Sequence, residues 1–548
     1  EMRIPFQTIS FDPNSDSWGI NFRRSIRRSN ESIAWVSRNR QVNPSIAGTI
    51  TGLEGMRQGV GLDIVSSLVM RKERVLGSNG LTQENFEPQL DVFYKITTQL
   101  NAALTINTDF SATEVDSRQV NLTRFSLFFP ERRDFFIRDS DIFEFGQIGT
   151  GGFNQDGGGG NPAVPGAASQ NARPFFSRRI GLSIGGSPVD INAGVKLSGR
   201  VGNWNVGTLL ISQDEDVASG VDSQEVFVGR AILNVLGESQ LGVIATSGDP
   251  QSNLDNNLVG MDFRYRNSRL SNGRTLQGVA FYQQSDTDGK TGDDASWGLG
   301  ISTPNNQGLR GGYNYKRVEE NFDPAVGFVS RTDMEDHALD IGYRHFYRPG
   351  GFMRSTYAGI EGYTSKDLSD GRLISSNIGL RISSKNNYGD GFFTRILKNR
   401  EVLRSDFVIN RFSDGSGQIV IPAGDYTYNN YLVGLDLGTQ RKITGRFNMR
   451  WGEYFNGNRF QRGATLNWRP TRQYDLSLQY TENEIHLPSR NFTVRLAAIN
   501  TRIAFSSTLS WSNLIQYDNV SEVMGFNSRL HWIPEAGRQA FLVFNYGL

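Results

Sequence analysis

Residues 121–146, NLTRFSLFFPERRDFFIRDSDIFEFG, set seven phenylalanines among nine charged side chains in 26 residues. Two kinds of chemistry are open to such a mixture. Arg124, Arg132, Arg133 and Arg138 nearly balance Glu131, Asp134, Asp139, Asp141 and Glu144, so ion pairing is available. Phe128, Phe129, Phe135 and Phe136 lie beside those arginines, and a guanidinium over a ring face adds about 0.5–2 kcal/mol per contact. Downstream, FFSRRIG resumes the mixture, and its Arg178 and Arg179 are expected to face the upstream carboxylates. The two arginines would then form either a structural charge cluster or a ring that touches a passing solute. A soluble core rejects unpaired ions, and an ordinary surface loop has no use for the rings. A wet, enclosed interior accepts both.

Catalytic and metal chemistry have thinner support. The four histidines, His337, His345, His486 and His531, stand in no H-E-x-x-H arrangement and beside no G-x-S-x-G. A Ser/His pair assembled from distant strands would leave no sequence motif, so an enzyme stays open without a nameable catalytic residue. The glycine-rich run between Phe145 and Arg173 contains GTGG but lacks the Lys-Ser/Thr of a phosphate loop, and reads as a lumen or surface loop. DTDGKTGDD and DEDVASGVD lack calcium-loop spacing and read as hairpin turns. With no cysteine, disulfides and thiolate metal sites are excluded. No metal or cofactor is expected.

The elements that must position these groups are strands. LNAALTINTDF places Leu100, Ala102, Leu104, Ile106 and Phe110 on one face, and Asn101, Thr105, Asn107 and Asp109 on the other. INAGVKLSG alternates Ile191, Ala193, Val195 and Leu197 against Asn192, Lys196 and Ser198. LDIGYRHFYR, RFNMRW and YDLSLQYT repeat the pattern. Period two means β-strands with one apolar and one polar face. From about residue 58 onward, about 24 strand-like segments of roughly 9–14 residues are separated by turn chemistry such as SNGR, PNNQG and LSDGR. Each is expected to carry a charged or amide face. Pro130 would break a regular ladder and fold its segment inward. The alternative for 121–146 is a strand pair with an unusual turn at Pro130.

Composition separates two architectures. Hydrophobic residues make up 37% of the 548, aromatics 11%, and there are 61 glycines. Net charge is +1, from 57 basic and 56 acidic residues, which argues against a nucleic-acid partner. No apolar leader follows Glu1-Met2-Arg3, so export would imply prior removal of one. No segment approaches the ~20 apolar residues of a transmembrane helix. A soluble sandwich or propeller would show domain boundaries and long apolar runs. The alternation instead predicts an all-β fold, a large transmembrane antiparallel β-barrel of about 24–26 strands with lipid outside and water inside. Tyr343/Tyr347, Trp451/Tyr454/Phe455, Tyr474/Tyr480 and Trp511/Tyr517 are expected in interfacial girdles.

Several stretches resemble the bacterial outer-membrane proteins that carry the domain of unknown function DUF5916. They are RIPFQTISF with WGINFRRSIRRSNESIAW, NLTRFSLFFPERRDFF, PFFSRRIGLS, IPAGDYTY and LIQYDNVSEVMGFNSRLHWIPEAGRQAFLVFNYG. The resemblance spans nearly the whole chain, and the phenylalanine-rich block is its most specific part. It implies an outer-membrane barrel preceded by a family-9 carbohydrate-binding-like module, with no assigned activity. Residues 1–45 would be the end of that module and a linker, 46–548 the barrel, and 121–180 a candidate lumen plug or constriction. Family members continue past FLVFNYG with a further strand. The expected partners are outer-membrane lipid, a glycan or other solute, and a protein at the loops or the N-terminal module. The expected task is a gated pore or transporter for a solute or polymer, with an assembly scaffold or a membrane-embedded hydrolase as alternatives.

Overall fold

The computed structural model describes residues 11–12, 15–26, 31–37, 42, 44–53, 55, 61–74, 82–108, 118–124, 127–148, 164, 166–411, 417–535 and 538–547. Phe110, Asp109, Arg27, Arg28 and the core of the glycine-rich run lie outside them. A single sheet of 23 strands dominates. It runs as a meander from Leu62–Arg74 to Arg538–Gly547, in barrel order, with the last strand beside the first. Consecutive strands pair antiparallel throughout. An odd number of alternating strands leaves the first and last pointing the same way. The two strands Phe407–Arg411 and Gln418–Ile421 pair with each other outside this sheet, which is why the ring falls just short of the expected 24–26.

Burial is inverted relative to a soluble protein. On Asn256–Asn267 the apolar Val259 and Met261 are 64% and 54% exposed, while Gln283 on the next strand is fully buried. On Met334–Phe346, Asp336 and Asp340 are buried, and Leu339, Ile341 and Tyr343 are exposed. Ile360, Ile378, Leu380 and Ile396 continue the exposed apolar band across the following strands. A soluble sandwich buries such rows between sheets; here they face outward, as a lipid-facing wall requires. The strands of this sheet are 9–15 residues long, enough for the ~9–11 tilted residues that cross the hydrocarbon. Among the described residues no helix is long and apolar enough to cross a membrane.

Three expectations need correction. Ile191 is buried rather than on the lipid side, because the register shifts between Ile191 and Ala193. Tyr454 faces inward: it lies three residues beyond outward Trp451, so its parity is opposite, and its hydroxyl donates to the Leu122 carbonyl at 2.7 Å. Phe455 packs with it rather than in a girdle, whereas Tyr343, Tyr347, Trp451, Tyr480, Trp511 and Tyr517 are exposed as expected. Finally, not every strand has a polar inner face. Trp204–Gln213 and Gln224–Val235 bury Leu209, Ile211, Val226 and Val228 inward.

The long connection between Leu100–Thr108 and Ile191–Val201 accounts for that exception. It has no strand among its described residues, so the strand-pair alternative for 121–146 does not hold there. It forms one short helix, Asp134–Ile137, and 3₁₀ turns at Ser140–Phe143, Gly166–Gln170 and Ser177–Arg179. Near the N-terminus, Ser17–Ile20 pairs with Gly48–Thr51, and Arg23–Ile26 with Glu31–Ala34.

Candidate functional site

The interior segment is built around Glu131 and Arg133. Pro130 precedes them in extended chain, and the helical turn that follows buries Phe135 and Phe136 while Asp134 stays exposed. Arg133 donates through Nε and Nη2 to the two Glu131 oxygens at 2.8 and 2.7 Å. Its guanidinium also donates to the carbonyls of Ile180 (2.7 Å) and Ser177 (2.6 Å) and lies 4.3 Å from the Phe136 ring centre. Glu131 accepts the Ser177 hydroxyl at 2.6 Å and the amides of Arg132 and Arg133 at 2.9 Å each. Burial works to raise the Glu131 carboxyl, but the hydrogen bonds and charge of Arg133, with Ser177, hold it below its ordinary 4.5. Glu144 goes the other way: burial raises it, only partly offset by Arg173.

Arg178 donates to the Pro130 carbonyl at 3.1 Å and lies over Phe129. Arg179 reaches the Gly327 carbonyl at 3.0 Å and the Gln251 side chain. It is the backbone of 177–180, with the Ser177 hydroxyl, that closes on the Glu131–Arg133 pair. Phe128 stacks on Phe176 at 4.8 Å and meets Phe328 edge-on at 5.3 Å, so the turn at 319–333 joins the same body. At the other end Arg124 pairs with Glu401 at 2.5 Å and donates to the carbonyls of Ile374 and Val402.

An irregular backbone buried inside the protein must find hydrogen-bond partners there, and the inner wall supplies them. Lys196 donates to the carbonyls of Phe135 and Arg138, and Ser198 to Asp139 at 2.6 Å. Asp139 has a left-handed backbone, φ 53°, a conformation aspartate tolerates, and this reverses the chain between the helix and the next turn. Arg230 donates to the Glu144 carbonyl at 2.9 Å, Asp262 accepts the Gly146 amide, and Gln283 donates to the Ala172 carbonyl at 2.7 Å. Lys316 donates to the carbonyls of Ala168 and Asn171.

Glycines in the wall make room for the rings. A Cβ on Gly207 would lie 2.9 Å from Phe143, and one on Gly260 2.9 Å from Phe145. The apolar rows Leu209/Ile211 and Val226/Val228 complete the sockets. Composition gave no sign of these wall anchors. The available signal was glycine inside strands, which marks close approach of another chain segment, together with consecutive apolar residues such as Leu209-Leu210-Ile211 where alternation would place one in two.

Three of the four histidines have aromatic or amide neighbours among the described residues. His337 Nδ1 bonds the Tyr313 hydroxyl at 2.7 Å, His345 packs on Tyr347, and His531 stacks on Phe541 and meets Gln539. Among the described residues no group of three or more His, Asp or Glu could hold a metal ion.

Residues 65–149 match the family described as Domain of unknown function (DUF5916), a span that takes in the first three wall strands and the Glu131–Arg133 body. No curated protein matches the chain. Among solved structures it is similar to the outer membrane protein opdK from Pseudomonas aeruginosa, with 14% identity, 57% of this chain and 92% of that one covered, and a TM-score of 0.34. It is also similar to a mutant ferric enterobactin receptor (PfeA) from the same organism in complex with enterobactin, with 10% identity, 86% and 78% covered, and a TM-score of 0.42. Likeness at that level carries no functional argument, and the barrel rests on strand order and inverted burial.

Proposed function

Taking residues 65–149 as a DUF5916 domain, we propose that this chain is an outer-membrane β-barrel working as a gated pore or transporter, with the segment 121–180 as its internal obstruction. One observation carries the reading: wall side chains that face the interior, Lys196, Ser198, Arg230, Gln283 and Lys316, spend their donors on the segment's backbone and carboxylates. These polar contacts can be exchanged for contacts with water when the segment moves. The cargo is a solute or polymer. A carbohydrate leads if a carbohydrate-binding-like module precedes the barrel. A scaffold is the second reading, favoured by the apolar cluster of Phe135, Phe143, Phe145 and Phe281, which fixes the segment more firmly than a gate needs.

Proteoliposome swelling separates them. Replacing residues 121–172 with a short linker is expected to give swelling in small sugars several-fold above that of the full chain. A folded, heat-modifiable deletion variant that swells no faster would support the scaffold.

A further inference from the structure

Two hollows adjoin on the outer face of the wall, and Tyr313 borders both. The first, of about 310 Å³, is apolar: Gly278 and Ala280 keep its floor low between Phe263 on one neighbouring strand and Leu299 and Ile301 on the other. The second, of about 870 Å³, has Leu339, Gly362 and Ile378 across its floor. Its polar rim follows the register from His337 to Thr364, Ser376 and Arg400, with Lys398 beside them. A Cβ on Gly278 or Gly362 would meet nothing nearer than 3.6 Å. The inner-wall glycines Gly207 and Gly260 yield their space to the rings of the interior segment, whereas these two leave theirs open on the lipid side.

The rim marks one edge of the apolar band. Outward positions run His337, Leu339, Ile341 and Tyr343 on Met334–Phe346, and Arg400, Lys398 and Ile396 on Gly391–Leu403. Asp425 fixes Arg400, accepting from Nε at 3.0 Å and Nη2 at 2.7 Å. Lys398 is exposed and has no carboxylate partner among the described residues. The Tyr313 hydroxyl and His337 Nδ1 are 2.7 Å apart, which ties the divider between the hollows to the rim. The strand ends nearest the rim carry long connections, from Val318 to Met334, Leu403 to Gly424 and Thr108 to Ile191. The opposite ends are joined by short turns such as Val201 to Trp204 and Val235 to Ser239. Long loops of outer-membrane barrels are extracellular, so the rim stands at the headgroup level of the outer leaflet.

We propose that the two hollows together hold one phosphorylated glycolipid of the outer leaflet. A phosphate meets Lys398, and acyl chains lie over Gly362 and pass Tyr313 along Gly278. Lysine at the headgroup level attracts anionic lipid, and a charge-assisted hydrogen bond holds the phosphate. The apolar hollow beside it takes what a free phosphate lacks. This site requires the barrel in the outer membrane and not the pore, so its failure leaves the transport reading untouched.

The test titrates the full chain in detergent with lipid A and reads binding by native mass spectrometry. Lipid A is expected to bind, and lipid A stripped of its phosphates to bind about fivefold more weakly. Lys398→Gln should weaken lipid A binding about fivefold and abolish the preference for the phosphorylated form. Gly278→Leu fills the apolar hollow from a position that accepts a Cβ. It should weaken binding while keeping the phosphate preference, and it serves if Lys398→Gln does not fold. Absence of lipid A binding, equal binding of the stripped form, or phosphatidylglycerol bound as tightly as lipid A overturns the site. So does wild-type affinity in either folded variant.

Discussion

Arg133→Ala is expected to release the interior segment while leaving the barrel folded. The Arg133 and Glu131 side chains are 9% and 14% exposed, and the guanidinium serves Glu131, two carbonyls and the Phe136 ring at once. Removing one partner of a buried pair leaves the other charge uncompensated, which costs about 3–5 kcal/mol. That cost falls on the link between 131–137 and 177–180, so proteolysis inside 121–180 should rise by two to three orders of magnitude. The heat-modifiable gel shift of the barrel should persist. Acid provides a second arm. The Glu131 carboxyl is held below its ordinary 4.5, so its stabilising contribution is fully present above that value and is lost as pH falls through the lower folded value. Wild-type protein should therefore become protease-sensitive in this segment as pH falls well below 4.5. Arg133→Ala should be sensitive already at neutral pH. A variant cut no faster than wild type at pH 7 would contradict the placement of this pair.

Asp262→Ala is expected to be the most damaging single change in the wall. Asp262 and Arg230 sit on strands that flank Ser239–Ser247, and their ion pair of 2.6 Å crosses over Gly242. A Cβ on Gly242 would lie 2.5 Å from both partners, so only glycine leaves the bridge its path. Arg230 is 2% exposed, and it also holds the Glu144 carbonyl and covers the Phe145 ring. Without Asp262 that buried guanidinium is left without its carboxylate, at a cost of about 3–5 kcal/mol, and the Gly146 amide loses its acceptor. The double change Arg230→Met/Asp262→Leu should recover most of the loss, since apolar residues of similar volume replace buried pairs at little cost. Urea unfolding in detergent for the full cycle tests this. Equal damage from the double and single variants would show that the pair is not coupled as described.

How much of this was readable in the residues depends on distance along the chain. Strands such as Leu100–Thr108 and Met334–Phe346 declare themselves because alternation is local and each residue carries its own side of the wall. The Phe128–Phe145 block declares an unusual environment for the same reason. Its partners do not, because Lys196, Arg230 and Asp262 look like any lumen-facing polar residue in a period-two pattern. Only register places them against 135–146. Ile191 and Tyr454 went astray where strict alternation fails, at a register shift and at a change of parity near a turn. The pair Phe407–Arg411 and Gln418–Ile421 stands outside the sheet and packs with Leu122 and Ile485, a placement that no local pattern announces.

The central claim is that the interior segment blocks a channel from a fixed seat on the wall and must leave it to open. The chain has no cysteine, so a single introduced pair reports cleanly. Asp139→Cys with Ser198→Cys replaces one hydrogen-bonded contact, and a short thiol-cleavable bismaleimide can bridge the two. Bilayer conductance is then recorded before and after cleavage, under a voltage or denaturant ramp that opens the wild type. The account predicts a bridged barrel that stays shut and conducts like wild type once cut. Equal conductance in both states would contradict it.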